Sequence, residues 1–197
     1  MKPLAFAPLA AAALLAGCAT SYFSPVEVTR FVGDAPATLG RGPIAVQPAP
    51  GVDPQAWEFP AFAQAVSERL QRLGYTVTGD AAAQIAEVNV ERVPSDVGGR
   101  RGPVSVGVGG STGGYYGSGF GGGIGIDLTP RPRNVSDIEM RVVIRPSGGG
   151  TPLWEGRAHF AASANSQYGD PRAAAARLAH ALFSGFPGRS GETITIR

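Results

Sequence analysis

The sequence predicts an α+β fold of two layers, a mainly antiparallel or mixed β-sheet with two helices packed on one face and a glycine-rich, hairpin-like excursion. Three observations predict it. Several segments alternate apolar and polar residues with period two, the pattern of strands buried on one side only. Two segments carry apolar residues at helical spacing. One stretch, Val97 to Gly125, is about half glycine and lies between two of the strands.

In chain order, short strands are expected at Val26 to Phe31 and Ile44 to Gln47. A helix follows, because Phe59, Phe62, Ala63, Val66, Leu70 and Leu73 form one stripe and Gln64, Ser67, Glu68, Gln71 and Arg72 lie opposite. Pro60 suits its first turn, Gly74 suits its C-terminal stop, and Glu68 and Arg72 make a favourable i,i+4 pair. Tyr75 to Thr78 reads as a short strand. Ala86, Val88 and Val90 alternate with Glu87, Asn89 and Glu91 in the next one.

Val104, Val106 and Val108 lead into the glycine-rich stretch, and Ile124, Ile126 and Leu128 lead out of it. Tyr115, Tyr116 and Phe120 are then expected at the tip, as a candidate interaction loop. Beyond it, Ile138, Met140, Val142 and Ile144 alternate with Asp137, Glu139, Arg141 and Arg145. Trp154, Gly156, Ala158 and Phe160 alternate with Glu155, Arg157 and His159. Pro171 to Ser184 predicts the second helix, with Ala174, Leu178 and Leu182 inward, and Ile194 and Ile196 mark a final strand. Neither helix is long enough to be stable alone, so both must dock on the sheet.

The chain has 197 residues, enough for one domain with its own core once a leader is removed. Residues 1–17 read as a signal peptide, 18–24 as a modified N-terminus with a short tether, and 25–197 as a single domain carrying the insert 97–125. Lys2 is the sole lysine, so beyond the leader sixteen arginines face fifteen acids. Nucleic-acid binding needs clustered, uncompensated cations, and this balance argues against it. Arg100 and Arg101 are a tight basic pair that reads as a solvated loop.

The leader joins Lys2 to an apolar stretch from Leu4 to Leu15, with small residues Ala16 and Gly17 directly before Cys18. It is too short to span a bilayer as a stable helix and has the layout of a signal peptide. The segment Leu15-Ala16-Gly17-Cys18 resembles a bacterial lipobox, in which Leu15, Ala16 and Gly17 are read by lipoprotein signal peptidase. That resemblance implies an S-diacylglyceryl group on Cys18 and an amide-linked acyl chain such as palmitate on its amine. At about 0.8 kcal/mol per buried CH₂, two or three chains hold a protein stably on a membrane. Ala19 after the cysteine implies the outer rather than the inner membrane, with the domain facing the periplasm. As the sole cysteine, Cys18 leaves no intramolecular disulfide to form.

No catalytic constellation is legible. Only His159 and His180 offer an imidazole: the first falls on the polar face of a strand, and the second opposite a helix's apolar stripe. Metal-ligand spacing is missing, so no metal or cofactor is expected. Gly117, Gly119 and Gly122 match a dinucleotide-binding spacing, but no amphipathic helix follows to receive a phosphate. Asp127, Asp137 and Glu139 read as polar-face strand residues.

Ile44-Ala45-Val46, the helix end Leu70-Gln71-Arg72-Leu73-Gly74-Tyr75, the strand from Ala86 to Val90, the glycine-rich insert, Leu153-Trp154-Glu155-Gly156 and the closing Phe183-Ser184-Gly185-Phe186-Pro187 occur in an informative order. In that order the chain from about Tyr22 onward resembles domain-of-unknown-function family 4136, a group of lipid-anchored bacterial envelope proteins. This chain reads Ala83-Gln84 where the family often has an acid after the alanine. The resemblance implies a small sheet-and-helix periplasmic domain and supplies no catalytic residues.

The expected function is therefore that of a non-catalytic interaction or assembly module of the cell envelope. It would contact the membrane through its lipid and an envelope protein through the arm or the polar sheet face. A lipid- or glycan-binding carrier or sensor is the alternative, and an envelope hydrolase ranks third.

Overall fold

A computed structural model describes residues 21–79, 82–95 and 134–197 in full and the backbone of 104–109 and 121–126. Strand β1 spans Val26–Val32, β2 Gly42–Pro48, helix α1 Phe59–Arg72, β3 Tyr75–Val77, β4 Gln84–Pro94, β5 Val104–Gly109 and β6 Gly121–Ile126. Then come β7 at Val135–Pro146, β8 at Trp154–Ser163, α2 at Pro171–Phe183 and β9 at Glu192–Ile196. The α+β class and the mixed sheet expected from the alternating segments are those observed.

Seven strands form one sheet in the order β3-β2-β4-β7-β8-β1-β9. β2 runs parallel to both β3 and β4, while the β4–β7, β7–β8, β8–β1 and β1–β9 pairs are antiparallel. The parallel part follows from α1, which crosses over between β2 and β3 and so returns the chain in the same direction. β3 pairs with the first half of β2 and β4 with the second, and both meet it at Ile44. The central β4–β7 ladder runs from Gln84↔Pro146 to Pro94↔Ser136.

Helices α1 and α2 cover one face. Phe59, Phe62, Val66 and Leu70 of α1 are buried there, as are Ala174, Leu178 and Leu182 of α2. They meet the strand residues that alternation assigns inward: Val26, Val28, Ile44, Ala86, Val88, Ile138, Met140, Val142, Ile144, Trp154, Ala158 and Phe160. Each large side chain buried in this way contributes about 1.5–3 kcal/mol, which offsets the ordering of two helices that are marginal alone.

The other face is polar and laced with ion pairs between neighbouring strands. Arg145 meets Glu87 at 2.8 Å, Arg141 meets Glu155 at 2.8 Å, and Arg157 meets Glu139 at 3.3 Å. Glu27, Glu91 and Asp137 share this face without an arginine partner among the described residues, so it carries an excess of acid.

The sheet-and-helix body, residues 21–95 and 133–197, is one compact unit, and residues 96–132 fall in another. Within the second unit β5 and β6 pair antiparallel from Val104↔Ile126 to Gly109↔Gly121, the hairpin expected of the alternating entry and exit. The stretches between this ladder and the β4–β7 ladder, 95–103 and 127–135, are equal in length. The expected tip residues Tyr115, Tyr116 and Phe120 lie outside the described residues, as do Asp127, Arg100 and Arg101.

Candidate functional site

The N-terminal end of the body is where the structure departs most from a simple tether. The sequence leaves 18–24 free between anchor and domain, yet Tyr22 to Ser24 lie along β8. The Tyr22 amide donates to Ser163 Oγ at 2.9 Å, and the Ser163 amide donates to the Tyr22 carbonyl at 2.9 Å. Phe23 bridges to Ala162. The Ser24 amide donates to the Ala161 carbonyl at 2.8 Å, while Ser24 Oγ accepts from the Ala161 amide at 2.9 Å. Ser163 is fully buried, so these bonds satisfy polar groups that water does not reach. Tyr22 to Ser24, assigned to the tether from the sequence, are thus docked on the sheet.

Arg177 of α2 clamps the same segment. Its Nη2 donates to the Ser24 carbonyl at 3.1 Å, and its guanidinium lies 4.5 Å from the Tyr168 ring centroid, 4.9 Å from Phe23 and 5.2 Å from Phe160. Phe23 and Phe160 both meet Tyr168 edge-on, at 5.1 and 5.4 Å. A guanidinium held among three ring systems loses little orientation on contact with a further group.

Beside this clamp a groove of about 400 Å³ opens between α1, α2 and the β1–β9 edge. Arg69, Arg177, His180 and Arg197 line it, with Ala173 and Ala176 of α2 among its apolar walls, and no lining residue is acidic. Burial, then the neighbouring Arg72 charge, push the Arg69 guanidinium below its ordinary pKa, and Glu68 acts in the opposite direction. Among the described residues, no carboxylate side chain forms an ion pair with Arg69 or Arg177. Sequence reading misses the groove because α1, α2 and β9 are distant in the chain, and the signal in α2 is only an arginine and a histidine three residues apart.

A buried cation elsewhere in the body is structural. Arg30 points to the helix side of β1, is 3% exposed, and donates through Nε to the Leu182 carbonyl and through Nη2 to the Ala181 carbonyl, both at 3.0 Å. It thereby caps the C-terminus of α2, where carbonyls lack helical partners and the dipole favours a positive charge. Burial lowers its pKa, and the Glu192 charge partly restores it. Trp154 completes this end: its indole N–H donates to the Pro187 carbonyl at 2.8 Å, and its ring packs on Phe183 and Phe186. The Phe183-to-Pro187 segment therefore closes the core.

The histidines are not brought together. His159 stands on the open face of β8, 3.5 Å from Glu27, whereas His180 is exposed on α2, which packs on the other face. On the open face Glu139 pairs with Arg157 and Asp137 is exposed. Among the described residues, no cluster of three or more His, Cys, Asp or Glu side chains is placed to hold a metal, and no helix is long and apolar enough to cross a membrane. Leu15, Ala16, Gly17 and Cys18 lie outside the described residues.

No family model matches the chain, and no curated protein matches it. Among solved structures it is similar to the PelC dodecamer from Paraburkholderia phytofirmans, with a TM-score of 0.45 at 11% identity over 86% of this chain and 100% of that one. It is also similar to a PDZ domain protein from Parabacteroides distasonis ATCC 8503, with a TM-score of 0.52 at 11% identity over 94% of this chain. The latter match spans 41% of that protein and is a likeness of fold alone.

Proposed function

We propose that the chain is a lipid-anchored module of the bacterial envelope, held by acyl chains on Cys18, facing the periplasm and acting by contact rather than catalysis. The observation that carries this reading is the seam joining Tyr22, Phe23 and Ser24 to β8 directly after the lipobox-like segment. A module working at a membrane surface gains from a stiff junction, because docking Tyr22 to Ser24 on the sheet shortens the span back to Cys18 and so restricts both height and orientation. Cys18 to Tyr22 spans at most about 14 Å at roughly 3.5 Å per extended residue. The resemblance of the segment order to that of family 4136 supports the same assignment, and Ala19 supports the outer membrane.

The partner side of the proposal rests on the excursion. The arginines of the open sheet face are each paired with a glutamate, and among the described residues Glu27, Glu91 and Asp137 have no arginine partner, so this face offers an acidic surface only. The glycine-rich hairpin with its expected tip aromatics is the favoured contact with an envelope protein, because aromatic side chains on a glycine-rich loop can adapt to a partner surface. Crosslinking in cells, followed by identification of partners, tests this. Deleting 109–123 should leave the body folded and remove the principal crosslinked partner, and an unchanged partner set would refute the arm.

The lipid-binding alternative draws support from the cationic groove beside the N-terminal seam. Hydrolysis is the least supported reading, since His159 and His180 stand on different faces of the sheet and neither is paired with a nucleophile among the described residues.

A further inference from the structure

We propose that the groove between α1, α2 and the β1–β9 edge is a binding site for the phosphate headgroup of an anionic phospholipid, supplied by the bilayer to which the chain is anchored. The choice of bilayer as source rests on the anchoring reading, whereas the chemistry of the groove does not.

Four observations converge. The first is charge: Arg69, Arg177, His180 and Arg197 line a space free of acidic side chains. The chain as a whole is close to neutral beyond its leader, but among the described residues six of its acids, Glu27, Glu87, Glu91, Asp137, Glu139 and Glu155, stand on the opposite sheet face with only three arginines, Arg141, Arg145 and Arg157. The groove cations are thus in local excess over the neighbouring Glu68 and the Arg197 α-carboxylate, and burial, then Arg72, disfavours the charged form of Arg69 while Glu68 favours it. An anion placed there relieves that repulsion.

The second is size and surface. A space of about 400 Å³ accommodates a small headgroup, in the range typical of small-ligand sites. Ala173 and Ala176 give it an apolar wall without bulk, suited to a glycerol backbone and the first methylenes of an acyl chain. A free inorganic anion has no use for such a wall.

The third is preorganisation. Arg177 is fixed by Ser24 and by the rings of Phe23, Phe160 and Tyr168, so a planar donor set faces the groove at small entropic cost. The fourth is position. The same Arg177 clamps the segment that leads back to Cys18, and Phe23 is 46% exposed beside it. An exposed aromatic next to arginines, a short tether away from acyl chains, is placed at headgroup depth. The lipid on Cys18 and the groove would then form two points of attachment and set the tilt of the body on the bilayer.

The test uses the full-length chain extracted in neutral detergent and titrated with short-chain phosphatidylglycerol, short-chain phosphatidylcholine and inorganic phosphate, followed by NMR of alanine methyls. Saturable shifts of Ala173 and Ala176 are expected with phosphatidylglycerol, at least tenfold weaker binding with phosphatidylcholine, and weaker binding still with inorganic phosphate. Arg69→Gln, which leaves the N-terminal clamp intact, should weaken phosphatidylglycerol binding about fivefold or more, and Arg69→Lys should recover most of it. Arg177→Gln should weaken it further, but a loss there counts only where the Tyr22 and Ser24 amides keep their shifts. Equal affinity for the two lipids, or phosphatidylglycerol binding indifferent to Arg69→Gln, overturns the site. Inorganic phosphate binding as tightly as phosphatidylglycerol overturns the lipid as its ligand. Selective binding by a chain whose Cys18 carries no lipid would sustain the groove and overturn the anchored bilayer as its source.

Discussion

Arg30 is in phase with Val26 and Val28 on β1, so period-two alternation alone would place an arginine in the core. Its partners, the Ala181 and Leu182 carbonyls, lie about 150 residues further along the chain. No local pattern reveals such a contact, although an arginine inside an apolar alternation is a signal that some helix end or carboxylate must be near. Arg30→Met keeps most of the apolar stem but removes both charge-assisted bonds and the cap. It should lower stability in urea denaturation by about 2–3 kcal/mol, within the range for hydrogen bonds to charged groups. A loss below about half a kcal/mol would mean that relief from desolvating the cation matches what the cap contributes.

Gly156 and Gln84 show the same limit of local reading. The alternation of β8 counts Gly156 as an inward residue, but its absent side chain is what matters: a Cβ there would lie 2.2 Å from Trp154 Cη2 and 2.7 Å from Leu182 Cδ1. The indole occupies that space. Gln84 stands where the resembled family often has an acid, and its amide nitrogen donates to the Thr38 and Arg41 carbonyls at 3.1 and 3.2 Å. A carboxylate accepts only, so this departure is tied to how the chain between β1 and β2 packs against β4.

At the scale of elements, what periodicity carries was legible. The predicted helix stripes and strand alternations coincide with α1, α2 and the long strands, because burial on one face imposes the pattern directly. Boundaries shifted by a few residues where pairing extends past the alternation, as in β4, which continues to Pro94. The helix starts differ in how they are satisfied. Asp170 accepts from the Arg172 and Ala173 amides at 2.8 and 3.1 Å and caps α2, whereas Glu58 before α1 makes no such cap and pairs with Arg92 at 2.8 Å instead. Asp170→Ala should cost about 1 kcal/mol in thermal or urea unfolding, the usual worth of an N-cap. Because α2 carries Arg177 and the wall of the groove, the same change should loosen the N-terminal segment, seen as faster amide exchange at Tyr22 and Ser24. Unaltered exchange there would show that the clamp does not depend on the start of α2.

Across the sheet-and-helix body as a whole, its first and last strands and the second helix meet at one place. β1 and β9 pair at the sheet edge, α2 lies over them, and the residues preceding β1 are sewn onto β8. The sequence makes the lipobox-like segment and the brevity of the tether legible. It places Tyr22 to Ser24 in the tether, because an extended segment held by Ser163, Ala161 and Arg177 has no periodicity of its own. It also leaves the groove unseen, since its cations come from α1, α2 and β9. With the seam in place, lipid on Cys18 would fix the body close to the membrane with the groove and Phe23 nearby.

That arrangement stands on the anchor, so the most direct measurement is the intact mass of the chain extracted from its native membrane, with fragmentation at the N-terminus. The account predicts a mature chain beginning at Cys18, carrying a diacylglyceryl group on sulfur and an acyl chain on the amine, and a Cys18→Ala chain that is no longer retained in the membrane fraction. A mature chain that begins elsewhere, or one that begins at Cys18 with a free thiol, would contradict it.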